Sequence, residues 1–189
     1  SAFTNLTTTG HLAQMIISGD PNTVWVDNIY FYVDAPSAPT TPAPTPTADP
    51  GDVVSLYSDV YTDEPMSFWS ASTAGQGWDD GANVFDETVG SDNIMKFDFF
   101  GGYSVSEIAS VTDVSAMTHL HVDLWTAEDP TGKLFKLKLV DFGVDGIYGT
   151  DDSEHELSFD DGTMTAGSWV SLDIPMTDFT GLTGTSSMA

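Results

Sequence analysis

The residues whose types and spacing most clearly suit chemistry lie in one acidic stretch, DFGVDGIYGTDDSEHE, Asp141 to Glu156. With Asp141 as the first position, Asp145 stands fifth, Gly146 sixth and Asp152 twelfth, close to the spacing by which a loop wraps oxygen ligands around Ca²⁺. Gly146 permits the sharp turn, and Gly143 and Gly149 let carbonyl oxygens approach. The stretch departs from the full pattern at the third position, where Gly143 has no side chain, and at the twelfth, where Asp replaces a bidentate Glu. A strand precedes it in place of a helix, which excludes a helix-loop-helix sensor and leaves a structural calcium loop. Crowded carboxylates raise one another's pKa, and a cation relieves that repulsion. The spacing therefore predicts Ca²⁺ held by ligands drawn from Asp141, Asp145, Asp151, Asp152 and Glu154. The competing reading is a long acidic hairpin loop without an ion. A second, weaker candidate pairs Asp27 with Asp59. Asp27 shares a strand face with Trp25, where a carboxylate needs a metal or another partner unless the strand end is exposed.

Exposed aromatic rings hold sugars by stacking on their C–H faces, while nearby carboxylates or amides bond the hydroxyls. The candidates are Trp69 and Trp78 in FWSASTAGQGW, Trp125 beside His121 and Asp123, and Tyr103 after Gly101-Gly102. Each of these tryptophans also fits a core position, and Trp169, within an apolar strand, is assigned to the core. Catalysis has less to stand on. There is no cysteine nucleophile and no strand-to-helix elbow bearing Ser, and carboxylates are too widespread for any pair to single itself out. His119 and His121 lie two apart without an evident third metal ligand. The chain is expected not to be an enzyme.

The elements that must position these residues are short strands. VVSLYS, SFWSAS, NIMKFDFF, THLHVDLWT, LFKLKLV, HELSFD and SWVSLDI recur between Gly, Pro, Asp and Ser turns from Asp52 to Met176. Leu120, Val122 and Leu124 alternate with His121 and Asp123, and Phe135, Leu137 and Leu139 alternate with Lys136 and Lys138. The expected fold is all-β, an antiparallel two-sheet sandwich of jelly-roll type. Two further strands, at 12–18 and 24–33, flank the turn Gly19-Asp20-Pro21-Asn22. Residues 35–50 hold six of the ten prolines and form a Pro/Thr-rich linker in extended polyproline conformation, with Thr40, Thr41, Thr45 and Thr47 as candidate O-glycosylation positions. The expected domains are closing strands at 1–34, the linker at 35–51 and the sandwich at 52–189.

Twenty-nine acidic residues face only four lysines and no arginine, a net charge of −25 that repels nucleic acid and anionic membranes. With 40% hydrophobic residues, the acidity belongs to a folded domain with a charged surface and not to a disordered chain. No stretch reaches the length of a membrane span, and residues 1–20 lack a signal-peptide pattern, so the chain is expected to be a mature or internal piece. The absence of cysteine suits an extracellular or cell-surface protein that ties its loops with Ca²⁺ in place of disulfides.

One long-range pattern organises the whole chain. Ser1–Ala13 aligns without gaps on Thr177–Ala189, an offset of 176 residues, with identities at Phe3/Phe179, Thr4/Thr180, Leu6/Leu182, Thr7/Thr183, Thr9/Thr185 and Ala13/Ala189. The first copy runs on into two apolar segments; the second is expected to lack them. The closing strands would then belong to an upstream repeat, or residues 1–33 would close their own fold from the other end. Chance likeness between Thr-rich segments is the competing explanation.

Together, DPGDVVSLYSDVYT, THLHVDLWT, KLKLVDFGVDGIYGTDDSEHELSF, SWVSLDIPMTDFTGLT and HLAQMIISGDPNTVWVDNIYFY resemble accessory modules of secreted bacterial polysaccharide-degrading enzymes and surface proteins. These are carbohydrate-binding-type modules with a galactose-binding-like β-sandwich. The resemblance implies a Ca²⁺-stabilised, non-catalytic jelly roll in tandem repeat, and it implies that the closing strands complete a domain. Two functions follow as expectations. One is a module that binds polysaccharide or a cell-surface glycan, with avidity from repetition. The other is a structural subunit of a filament or adhesin, assembled head-to-tail as residues 11–33 are donated to a neighbouring copy.

Overall fold

The computed structural model describes residues 15–18, 23–32, 37–98 and 102–189. The chain divides into two compact units, Ser1–Asp34 and Ala35–Ala189. The second is all-β. Its strands are β1 (Met66–Phe68), β2 (Asn83–Val89), β3 (Asp92–Asp98), β4 (Glu107–Ile108), β5 (His119–Trp125), β6 (Phe135–Asp141), β7 (Ser153–Phe159) and β8 (Trp169–Pro175). They pair antiparallel as β1–β4, β2–β3, β5–β8 and β6–β7, four two-stranded sheets whose stacking is consistent with a β-sandwich.

The apolar alternation explains the stacking. Buried Leu172 and Ile174 of β8, with Phe179 just beyond it, meet Leu120, Val122 and Leu124 of β5. Phe135, Leu137 and Leu139 of β6 and Leu157 and Phe159 of β7 cover the same cluster. Most outward residues of these strands are polar, Trp125, Val140 and Trp169 being the exceptions, so one face of each ladder is apolar and the other mainly wet.

Five of the expected strands form nearly as read, at β3, β5, β6, β7 and β8. VVSLYS does not. Its Ser55 makes only an isolated bridge to Asp63, because side chains there capture the backbone: Ser58 N donates to Asp63 Oδ2 at 3.2 Å and Val60 N to Ser58 Oγ at 3.0 Å. SFWSAS shortens to β1, since Ser70 and Ser72 turn toward Asp79. β2 escaped notice because Asp86 and Glu87 interrupt its apolar alternation. Its signal was the two-residue Gly90-Ser91 hairpin loop, with Gly90 at φ 68°.

The expected strands at 12–18 and 24–33 need correction over the described residues. None of 15–18 or 23–32 is paired as a strand, and all are exposed, Trp25 at 90% and Phe31 at 85%. A strand exists only by virtue of the ladder beside it, and Asn28, in the left-handed region at φ 53°, interrupts extended backbone. Residues 12–14, 19–22 and 33 lie outside the described residues. The Pro/Thr segment is tied down along 41–48. Trp169 Nε1 donates to Thr41 O at 2.9 Å, Ala43 N to Asp92 Oδ2 at 3.1 Å and Tyr61 Oη to Ala48 O at 2.9 Å.

Candidate functional site

Asp79 builds an exposed aromatic face of the second unit. Its carboxylate accepts from Ser72 N (3.1 Å), Gly81 N (3.1 Å), Val105 N (3.2 Å), Ser70 Oγ (2.9 Å) and the Ser72 hydroxyl. Burial alone would raise its pKa, but the donors from Ser72, Gly81, Val105 and Ser70 outweigh it and hold the carboxyl far below the usual range. The loop so fixed presents Trp78, 54% exposed, with its ring against Phe68 at 6.0 Å. From the far side of the sequence Tyr103, 51% exposed, donates its hydroxyl to Trp78 O at 3.2 Å. Asp80 stands beside Gly102. Two broad rings with a carboxylate at their margin can stack on a sugar and bond its hydroxyls.

Trp69 does not join them. It is half-buried, packed edge-on against Tyr57 (5.9 Å) and Phe97 (6.4 Å), so its ring serves packing. Trp125 lies on the outer face of the β5–β8 ladder directly opposite Trp169, which corrects the assignment of Trp169 to the core. β8 puts Trp169, Ser171 and Asp173 outward, and Trp169 is half-buried under the Thr41 segment. Below the two tryptophans, His121 bonds Asp173 (2.7 Å) and Asp123 (3.3 Å), and Ser171 donates to Asp123. Desolvation lowers the His121 pKa, but the two carboxylates outweigh it and the net shift is upward.

Asp59 finds its partner in Asn93, whose backbone N and Nδ2 donate to it at 2.6 and 2.8 Å and depress its pKa. It lines a cleft of about 280 Å³ with Tyr57, Ser58, Asp63, Asp86 and Asn93. Burial, then Asp86, pushes the Tyr57 phenol up to about 12. Sequence reasoning missed this cleft because its members come from separate segments, and their mutual bonds latch the β2–β3 hairpin onto the 55–63 loop. Asp27, in the other unit, accepts from its neighbour Asn28 N at 2.7 Å.

In the acidic loop the carboxylates cap backbone amides. Asp141, 3% exposed, accepts from Gly143 N and Ser187 N, both at 2.9 Å. Asp145 takes Ile147 N (3.0 Å), Asp151 takes Val144 N (2.8 Å) and Asp152 Oδ2 takes Gly149 N (2.9 Å). Glu154 pairs with Lys138 at 2.8 Å. Among the described residues no three Asp, Glu, His or Cys side chains converge as a metal site. The expected five do not gather, because turn amides hold most of them. One atom fits a cation: Asp152 Oδ1 is buried with no hydrogen-bond partner. Thr40, Thr41, Thr45 and Thr47 are all exposed. Among the described residues no helix is long and apolar enough to cross a membrane.

No family model matches this chain, and no curated protein or solved structure is similar to it at a significant level. Its likeness to carbohydrate-binding-type modules therefore rests on the motifs quoted above.

Proposed function

We propose that this chain is a non-catalytic extracellular module of jelly-roll type that binds polysaccharide or a cell-surface glycan through the Trp78–Tyr103 face, as one unit of a tandem array. The observation that carries this reading is that face itself: Trp78 and Tyr103, twenty-five residues apart, are each about half exposed and are joined by the bond from the Tyr103 hydroxyl to Trp78 O, beside a loop pinned by Asp79. Exposed aromatic rings offer apolar area that a ligand can cover. Affinity electrophoresis against a panel of neutral and acidic polysaccharides tests it. Trp78→Ala and Tyr103→Ala should each weaken retention by the retarding glycan about tenfold, the loss of one stacking contact of roughly 1–1.5 kcal/mol. Unchanged retention in both variants, with native circular dichroism, would reject this face.

Ca²⁺ is the proposed stabilising ion, at the 141–154 loop, and the buried, unpartnered Asp152 Oδ1 supports it. A bound ion stabilises the folded state by mass action, about 2.7 kcal/mol at a hundredfold excess over Kd. EDTA should lower the melting temperature by several degrees, Ca²⁺ should restore it, and Asp152→Asn should abolish both shifts. A melting curve indifferent to EDTA and Ca²⁺ would sink the proposal.

A second reading, the filament or adhesin subunit assembled by strand donation, is favoured by one observation: Met15, Ile16, Ile17, Val24, Trp25, Val26, Ile29, Tyr30, Phe31 and Tyr32 are all exposed, in segments with strand composition and no ladder partner among the described residues. Such a segment is suited to completing another sheet.

A further inference from the structure

The Trp78–Tyr103 face has a charge preference as well as exposed rings. Where its loop is fixed, three backbone amides converge, from Ser72, Gly81 and Val105. A set of converging amides ordinarily cradles an anion. Here the chain fills the cradle itself, with the Asp79 carboxylate. The nearby hydroxyls are committed too. Ser70 and Ser72 donate to Asp79, while Ser104 and Ser106 donate to Trp69 O at 3.0 and 2.9 Å. Tyr103 spends its hydroxyl proton on Trp78 O.

No lysine is left to serve instead. Lys96 pairs with Glu87 and Asp98, at 3.9 and 3.5 Å, and Lys133 pairs with Glu128. Lys136 and Lys138 pair across the β6–β7 ladder with Glu156 and Glu154, at 2.7 and 2.8 Å. The chain has no arginine, so all four lysines already face carboxylates. A uronate or sulfate brought to the rings would displace one of these pairs or stand without a counter-charge, against the field of a chain at −25.

Asp80 is differently placed. It is exposed, and among the described residues it accepts no hydrogen bond and makes no ion pair. Its Oδ2 lies 3.6 Å from where a Cβ on Gly102 would stand, and the missing side chain leaves that oxygen uncovered beside the residue that precedes Tyr103. An ionised carboxylate only accepts, and its bonds to hydroxyls are stronger than those between neutral groups. The face thus offers ring area for C–H groups and an acceptor for hydroxyls, with its amides already taken.

We propose that the glycan held at the Trp78–Tyr103 face is an uncharged polysaccharide, that Asp80 accepts from its hydroxyls, and that the same carboxylate turns acidic polymers away. This rests on the glycan-binding reading of the face and adds to it the class of sugar and a specificity residue.

Binding isotherms of the full chain at pH 7, followed by tryptophan fluorescence, test it. The probes are soluble uncharged polymers (a glucan, a mannan and a galactan), a polyuronate and a sulfated galactan, each at low and at high salt. At low salt the best uncharged polymer should bind at least tenfold more tightly than either acidic one. Asp80→Ala removes no bond of the folded chain and should keep native circular dichroism, yet weaken binding of the uncharged polymer about tenfold, the loss of a hydrogen bond to a charged group. That loss should persist at high salt, where a long-range charge effect would be screened. An acidic polymer bound as tightly as any uncharged one, and released by Trp78→Ala, overturns the uncharged class and leaves the face standing. Wild-type binding by Asp80→Ala, or a loss that vanishes at high salt, overturns the role given to Asp80. Binding of none of the polymers, or binding indifferent to both Trp78→Ala and Tyr103→Ala, overturns the face and this inference with it.

Discussion

Asp79→Ala is expected to cost the second unit about 3 kcal/mol and to abolish glycan retention as a consequence. The carboxylate is the common acceptor for Ser72 N, Gly81 N and Val105 N, and alanine leaves all three donors without their partner in a partly buried setting. Each such donor costs roughly 1–3 kcal/mol when water cannot replace the acceptor, and partial solvent access reduces that sum. Urea denaturation followed by tryptophan fluorescence measures the loss. The same residue gives a pH dependence whose sign is fixed. Its folded pKa is depressed below the ordinary 3.8, so its contribution is complete above that value and fades as pH falls below it toward the folded value. Asp79→Asn should therefore flatten the stability profile below about pH 4 while leaving its slope near neutrality unchanged. If Asp79→Ala unfolds at the wild-type urea midpoint, the loop is held by something else, and the account of the Trp78–Tyr103 face fails with it.

The second large effect is expected at Gly143. A Cβ there would lie 2.6 Å from the Asp151 carbonyl oxygen, and the backbone sits at φ 69°, where a side chain adds strain. Backbone cannot yield as a flexible side chain can, so Gly143→Ala should destabilise by at least about 2 kcal/mol and disturb the Asp151 and Asp152 caps. Gly149, in the same loop, provides the control. Its nearest neighbour to a new Cβ is Ile147 O at 3.6 Å, with no positive φ, and Gly149→Ala should change stability by less than about 0.5 kcal/mol. Thermal melts of the two variants decide the matter. Equal, small shifts would mean that the acidic loop relaxes freely around residue 143.

Much of the sandwich was legible because strand alternation is a local property. Leu120, Val122 and Leu124 against His121 and Asp123 announce both a strand and its buried face, and β6 and β8 do likewise. The failures have equally local causes. Ser58 and Asp63 compete for the backbone that VVSLYS would have paired. Asp86 and Glu87 mask β2, whose outer face is wet. The acidic loop was legible as a turn framework, since Gly143 and Gly146 take the positive φ angles its spacing asks for, at 69° and 65°. Which carboxylates turn inward was not, because that depends on the amides each one meets: Ser187 N reaches Asp141 across forty-six residues.

By itself the sequence determined the all-β class, the dense negative charge, the inward faces of the main strands and the thirteen-residue echo, because composition, alternation and identity need no partner to be counted. Tertiary structure alone decided which aromatics stand clear. Trp69 goes to packing, Trp169 outward beneath Thr41, and Trp78 comes together with Tyr103, outcomes set by neighbours that converge from distant segments.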